Sequence, residues 1–149
     1  MRAEGTFRGR LRSFAEVRAW AEAFAAAVGA DRNATLRLVL VLEELFTNTV
    51  IHGDTAEGER PIWVALASRA GAIEVTYEDA GPAFNPLADA EKPRAESRSF
   101  GTERAGGLGL ALVRGLSATA RYARVGGRNR ITLTVPTDGP PPTPPAAAQ

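Results

Sequence analysis

The sequence has no cysteine, which excludes disulfides, thiolate metal sites and cysteine nucleophiles. It has no excess of charge of one sign: 18 basic residues stand against 17 acidic ones, a formal net charge of +1. No global field therefore draws nucleic acid or an anionic membrane to it, and neither is expected as a direct partner. No apolar run approaches the roughly 20 residues that span a bilayer. The opening MRAEGTFRGRLRSF carries charge where a signal peptide needs an apolar stretch. There is no internal repeat. A soluble, cytoplasmic protein is the expectation.

What is present suits one globular domain. A hydrophobic content of 44% beside 23% charged residues is ordinary for such a chain. At 149 residues it is long enough to bury a real core. Residues 3–11 read as an edge strand around Phe7. Ser13 opens a helix, with Glu16 completing a capping box. Phe14, Val17, Ala21, Phe24 and Val28 form its apolar stripe, and Gly29 stops it. Arg18 and Trp20 lie off that stripe, either on a partner or dimer surface or simply exposed. Asp31 is the candidate N-cap of a second, longer helix that Gly53 ends.

A polar loop over 54–60 leads into two strands. Ile62, Val64 and Leu66, then Ile73, Val75 and Tyr77, alternate with less apolar neighbours around a turn at Ala70 and Gly71. Residues 87–105 are polar and without period, a length at which lids are found. Residues 108–116 read as a short helix that starts in glycines. Ala120, Tyr122 and Val125, then Ile131, Leu133 and Val135, flank Gly126-Gly127 as a hairpin. The domain is expected to span 1–135. The remaining PTDGPPPTPPAAAQ, 136–149, is read as a disordered tail that joins no strand ladder. This order of elements leaves an α+β fold of two layers, helices on one face of a mixed sheet.

The chemistry centres on 36–53, LRLVLVLEELFTNTVIHG. Glu44 and Asn48 are four residues apart and share one helix face, and His52 continues the line. A polar group among apolar ones is costly unless something binds it, so this face looks into a site. The helix alone equally allows the polar side of an ordinary amphipathic helix. Magnesium takes one or two protein oxygens beside nucleotide phosphates, which suits Asn48. Glu44 is placed to accept a proton from a hydroxyl or water attacking a γ-phosphate. Glu43 points about 100° away from it and is the poorer base.

Two further stretches supply what such a site would hold. Asp79 falls on the inward row of Ile73, Val75 and Tyr77, so it needs a partner. An exocyclic amine such as adenine N6 would serve, with Gly81 letting backbone approach a flat ring. The same residues also make a common Gly-, Pro- and Asn-rich turn. Gly106-Gly107-Leu108-Gly109-Leu110 leads into a helix start that can receive phosphate, a weak signal when alone. Arg104 is either a mobile cation for a phosphate or a solvated loop charge. The three stretches in this order spell an ATP pocket.

Glu44-x-x-x-Asn48, Asp79-x-Gly81-x-x-Phe84-Asn85-Pro86 and Gly106-Gly107-x-Gly109-Leu110 together resemble the three ATP boxes of the histidine-kinase-like ATPase superfamily. The single-domain size and EELFTNTVIHG are similar to the bacterial anti-sigma-factor serine/threonine kinases. The resemblance runs over about residues 7–135 and implies the Bergerat fold. It implies Glu44 as base, Asn48 as magnesium ligand, Asp79 and Gly81 at the adenine, and Gly107 and Gly109 at the phosphates. Phe84, Arg104, Gly106, Leu108 and Leu110 complete the implied nucleotide-contacting set. His52 matches a histidine often seen at this place, in a capping or supporting role or in direct chemistry.

The implied activity is ATP- and magnesium-dependent phosphorylation of a serine or threonine on an anti-sigma antagonist. Sequestration of a sigma factor, and a homodimeric state, are implied with it. The alternative is a non-catalytic ATP-binding or partner-binding regulatory module of the same fold. A two-component histidine kinase would need a phosphoacceptor histidine on a dimerisation helix pair, and His52 instead lies in the ATP stretch.

Overall fold

A computed structural model describes residues 1–52, 60–89, 113 and 115–139. Its longest element, a helix over Arg32–His52 (α2), begins where Asp31 caps it: the Asp31 carboxylate accepts from the Ala34 N–H at 2.7 Å. Gly53, its expected stop, lies outside the described residues. The preceding helix, Phe14–Ala27 (α1), starts differently from expectation. A 3-10 turn over Leu11–Ser13 runs directly into it, so Ser13 has helical φ and ψ (−75°, −12°) and its side chain makes no cap hydrogen bond. An N-cap needs an extended backbone, and the expected capping box does not form. No helix of the described residues is long and apolar enough to cross a membrane.

Five strands form one sheet: β1 (Arg2–Arg8), β2 (Pro61–Arg69), β3 (Ala72–Asp79), β4 (Thr119–Val125) and β5 (Arg128–Pro136), in the order β1-β2-β3-β5-β4. Every pairing among the described residues is antiparallel, where the order of elements was read as leaving a mixed sheet. The hairpins turn at the expected glycines. Gly71 has φ 74°, and Gly126 and Gly127 have φ 57° and 77°, the positive pair that a two-residue hairpin with strand-matched twist demands. A short helix over Pro86–Asp89 (α3) was not expected. Asn85 caps it by accepting from Leu87 N–H at 3.0 Å, and Pro86 takes the first helical position, where no N–H is needed.

Both long helices lie against one face of the sheet. Ile62, Val64, Leu66, Ile73, Val75, Tyr77, Ile131, Leu133 and Val135 from the strands share one core with Val17, Phe24, Leu38, Leu42, Leu45 and Phe46 from the helices. Each such apolar side chain contributes about 1.5–3 kcal/mol on burial, and this is what fixes the parity of β2, β3 and β5. The other face is polar, with Arg128 stacked 3.5 Å over Trp63 and Arg130 paired to Glu78. Trp20 is not a free surface residue: its ring meets Phe7 edge-on at 5.5 Å. Arg18 pairs along the helix with Glu22 at 2.9 Å.

Pairing continues past the expected domain end. Pro136 stands opposite Ala72, and the Thr137 N–H donates to the Gly71 carbonyl at 3.0 Å. Pro136 closes the strand at its last position, where proline is tolerated. The Thr137 carbonyl in turn accepts from Asp31 N–H at 3.2 Å. Arg37, 5% exposed on α2, donates to the Asp138 carbonyl at 2.9 Å. Residues 136–138 are therefore hydrogen-bonded or paired to the strands and helix of the domain. Hydrogen bonds to a charged group contribute about 1.5–3 kcal/mol, so Arg37→Ala is expected to lower unfolding stability by about 2 kcal/mol. Urea denaturation would show a lower midpoint at an unchanged slope.

Candidate functional site

A cleft open to solvent lies between the C-terminal half of α2, the end of β3, the start of β5 and the segment after β3. Its lining brings together Asn48, Thr49 and His52 of α2 with Asp79 and Phe84. Their convergence follows from two periodicities. Asn48, Thr49 and His52 sit on the turns of α2 that face the sheet, and Asp79 ends the inward row of β3.

Asp79 is half-buried and well partnered. Its Oδ1 accepts from Gly81 N–H at 2.9 Å and from Asn129 Nδ2 at 3.0 Å. Its Oδ2 accepts from the Thr49 hydroxyl at 3.3 Å. Behind Thr49, the Tyr77 hydroxyl donates to Thr49 Oγ1 at 2.7 Å, with the Leu45 carbonyl as a second acceptor at 3.2 Å. Burial holds the Tyr77 phenol protonated, far above its ordinary range; the Thr49 hydrogen bond opposes this and the Asp79 charge reinforces it. Tyr77 is thus a fixed donor in the cleft floor.

Asn48 is the outlier. It is 7% exposed, and its Oδ1 is buried with no hydrogen-bond partner among the described residues. A buried acceptor left unmatched costs about 1–3 kcal/mol, and a functional site is where such a cost persists. A hard cation is the ligand class that a lone amide oxygen suits. Among the described residues, no cluster of three or more His, Asp or Glu side chains could hold a metal by itself.

Glu44 lies one turn before Asn48 and is half-buried, but it does not line the cleft among the described residues. Burial, and then the neighbouring charge of Glu43, raise its carboxyl above the ordinary 4.5. His52 is exposed and stacks on Phe84, ring centroids 5.5 Å apart at an interplanar angle of 32°. Gly81 is buried and gives its N–H to Asp79. Arg104, Gly106, Gly107, Leu108, Gly109 and Leu110, with most of the expected lid at 87–105, lie outside the described residues.

The segment after β3 is held by side chains that sequence reasoning passed over. Arg60 donates to the Ala80 carbonyl at 3.0 Å, and Arg124 to the Gly81 carbonyl at 2.7 Å. Asn129, 6% exposed, reaches Asp79, Pro82 and Phe84 together. The signal for Asn129 was available, because it heads the inward row of Ile131, Leu133 and Val135 as Asp79 ends that of β3. Thr49 and Tyr77 gave no such signal, each being unremarkable in its own helix or strand.

Comparison with known proteins agrees with this architecture. No curated protein matches the chain. Among solved structures, one described as the RsbU and RsbW domains of Rv1364c from Mycobacterium tuberculosis superposes with a TM-score of 0.66 at 22% identity. The match covers 95% of this chain and 34% of that one, so this chain spans about a third of that protein's length. That likeness is one of fold. The family profile of the histidine kinase-like ATPase domain matches residues 7–135, most of the length and all of the cleft, and the chain belongs to that family.

Proposed function

We propose that this protein is an ATP-binding regulatory kinase of the anti-sigma type, which phosphorylates a serine or threonine of an antagonist protein and sequesters a sigma factor. The observation that carries the reading is the buried Asn48 Oδ1, unpartnered among the described residues, in the same cleft as the Asp79 carboxylate. One supplies an oxygen for a cation and the other an acceptor for a base amine. Asp79, with Gly81, would hold the adenine, and the stacked His52 and Phe84 would shape the cleft beside it. Asn48 would hold magnesium, which neutralises phosphate charge when bound.

Glu44 acts as the base. It takes the proton of the attacking serine or threonine hydroxyl while the new O–P bond forms and the bond from the γ-phosphorus to the ADP oxygen breaks. A carboxyl raised by burial is better matched to that task at neutral pH than an ordinary one. The resemblance assigns Gly107 and Gly109 to the phosphates, and Arg104 is a candidate cation beside them. The sigma factor, the antagonist, a second copy of the chain and a cytoplasmic setting belong to the same reading, as does a tail running on from the domain.

Calorimetry with magnesium tests the pocket. Wild type is expected to bind ATP in preference to GTP, and Asp79→Asn to lose about tenfold or more in ATP affinity. Equal binding of the two nucleotides, or an unaffected variant, would sink the adenine assignment. A second reading, a non-catalytic regulatory module, draws on the position of Glu44 outside the cleft wall. Nucleotide binding without transfer to any candidate antagonist would favour it.

A further inference from the structure

The Asn129 amide has only one way to lie. Its Oδ1 accepts from Phe84 N–H at 3.0 Å and from the Tyr122 hydroxyl at 2.6 Å. Its Nδ2 faces three oxygens: Asp79 Oδ1 at 3.0 Å, the Pro82 carbonyl at 2.8 Å and the Gly81 carbonyl at 3.5 Å. Turned over, the amide would set its own oxygen against three acceptors. A buried side chain thus ties both sides of the segment after β3 to β5, and grips one oxygen of Asp79.

That grip divides the two oxygens of the carboxylate. Oδ1 receives Gly81 N–H and Asn129 Nδ2, which fill its two lone pairs. Among the described residues Oδ2 receives only the Thr49 hydroxyl, at the longer distance of 3.3 Å, and keeps acceptor capacity. We infer that Asn129 is a positioning residue for base recognition, holding Asp79 so that Oδ2 accepts from the exocyclic amine of a 6-amino purine. The inference rests on the nucleotide-binding reading given above. A 6-oxo purine places an acceptor where the amine would be, and a carboxylate that cannot turn away repels it. Without Asn129 the carboxylate loses its side-chain anchor on Oδ1 and segment 80–84 its shared tie to β5, so preorganisation falls.

The test compares ATP with inosine triphosphate, which carries an oxygen at the purine 6-position. Dissociation constants would be measured with magnesium on the full chain, for wild type, Asn129→Ala and Asn129→Asp. Wild type is expected to prefer ATP by about tenfold or more. Both variants are expected to weaken ATP selectively and bring the preference to within about threefold, with inosine triphosphate affinity held. Asn129→Asp keeps the side chain's size and its two accepted hydrogen bonds, and decides the matter should the alanine variant fail to fold. A folded variant that keeps the wild-type preference overturns the inference, as does an equal loss for both nucleotides, the mark of a merely structural role. A wild type without preference overturns the adenine reading itself, and the inference with it.

Discussion

Replacing Glu44 by glutamine is expected to lower phosphoryl transfer by roughly a hundredfold or more while raising thermal stability at neutral pH. The two effects have one cause. Burial, and then the charge of Glu43, disfavour the ionised carboxyl and lift it above its ordinary 4.5. The folded protein therefore holds the Glu44 proton more tightly than the unfolded chain does. Below the ordinary value both states are protonated and no penalty exists. As pH rises through the raised folded value, the folded state must carry a half-buried charge, and stability falls. Glutamine keeps the shape and carries no charge. Its gain in melting temperature should be present at pH 7 and vanish as the pH is lowered below 4.5. A melting curve series across that range, beside a transfer assay on candidate antagonists, measures both. Unchanged transfer would remove Glu44 from the chemistry.

Asn48→Ala carries the second large effect. In the free protein its amide oxygen is buried without a partner among the described residues, and asparagine is a poorer helix former than alanine. The variant should gain about 1 kcal/mol, a rise of about 3 °C in melting temperature for a chain of this size. The gain would come with a functional loss. Wild type should bind ATP more tightly with magnesium than with a chelator, and the variant should bind alike in both, about tenfold or more weaker than wild type with the metal. A variant that retains magnesium-dependent binding would show that another group holds the cation. Both substitutions would stabilise the resting fold, as expected where a chain keeps groups that folding alone would discard.

Much of the frame was legible before any coordinates. Period-two rows at Ile62–Leu66, Ile73–Tyr77 and Ile131–Val135, glycines at the two hairpin turns and Asp31 ahead of α2 are local signals, and each was realised where its residues predict. The face shared by Glu44 and Asn48, and the inward parity of Asp79, needed nothing beyond helix and strand geometry. The capping box at Ser13 misled because the preceding turn was already helical, which no pattern of residue types encodes. Thr137 and Asp138 make hydrogen bonds with Gly71, Asp31 and Arg37, far away in sequence, that a proline-rich composition does not signal.

By itself, then, the sequence determined the long helices and the strands, their inward faces and the residue types proposed to meet a nucleotide and a cation. Only the tertiary structure decided which of those groups are already satisfied. Asp79 has one oxygen closed by Asn129 and Gly81, whereas Asn48 Oδ1 has no partner among the described residues. Asn129 lies 50 residues from Asp79 along the chain and becomes its neighbour through the β3–β5 register. Hydrogen-bond saturation depends on distances between strands and helices that are remote in sequence, and periodicity carries no record of them.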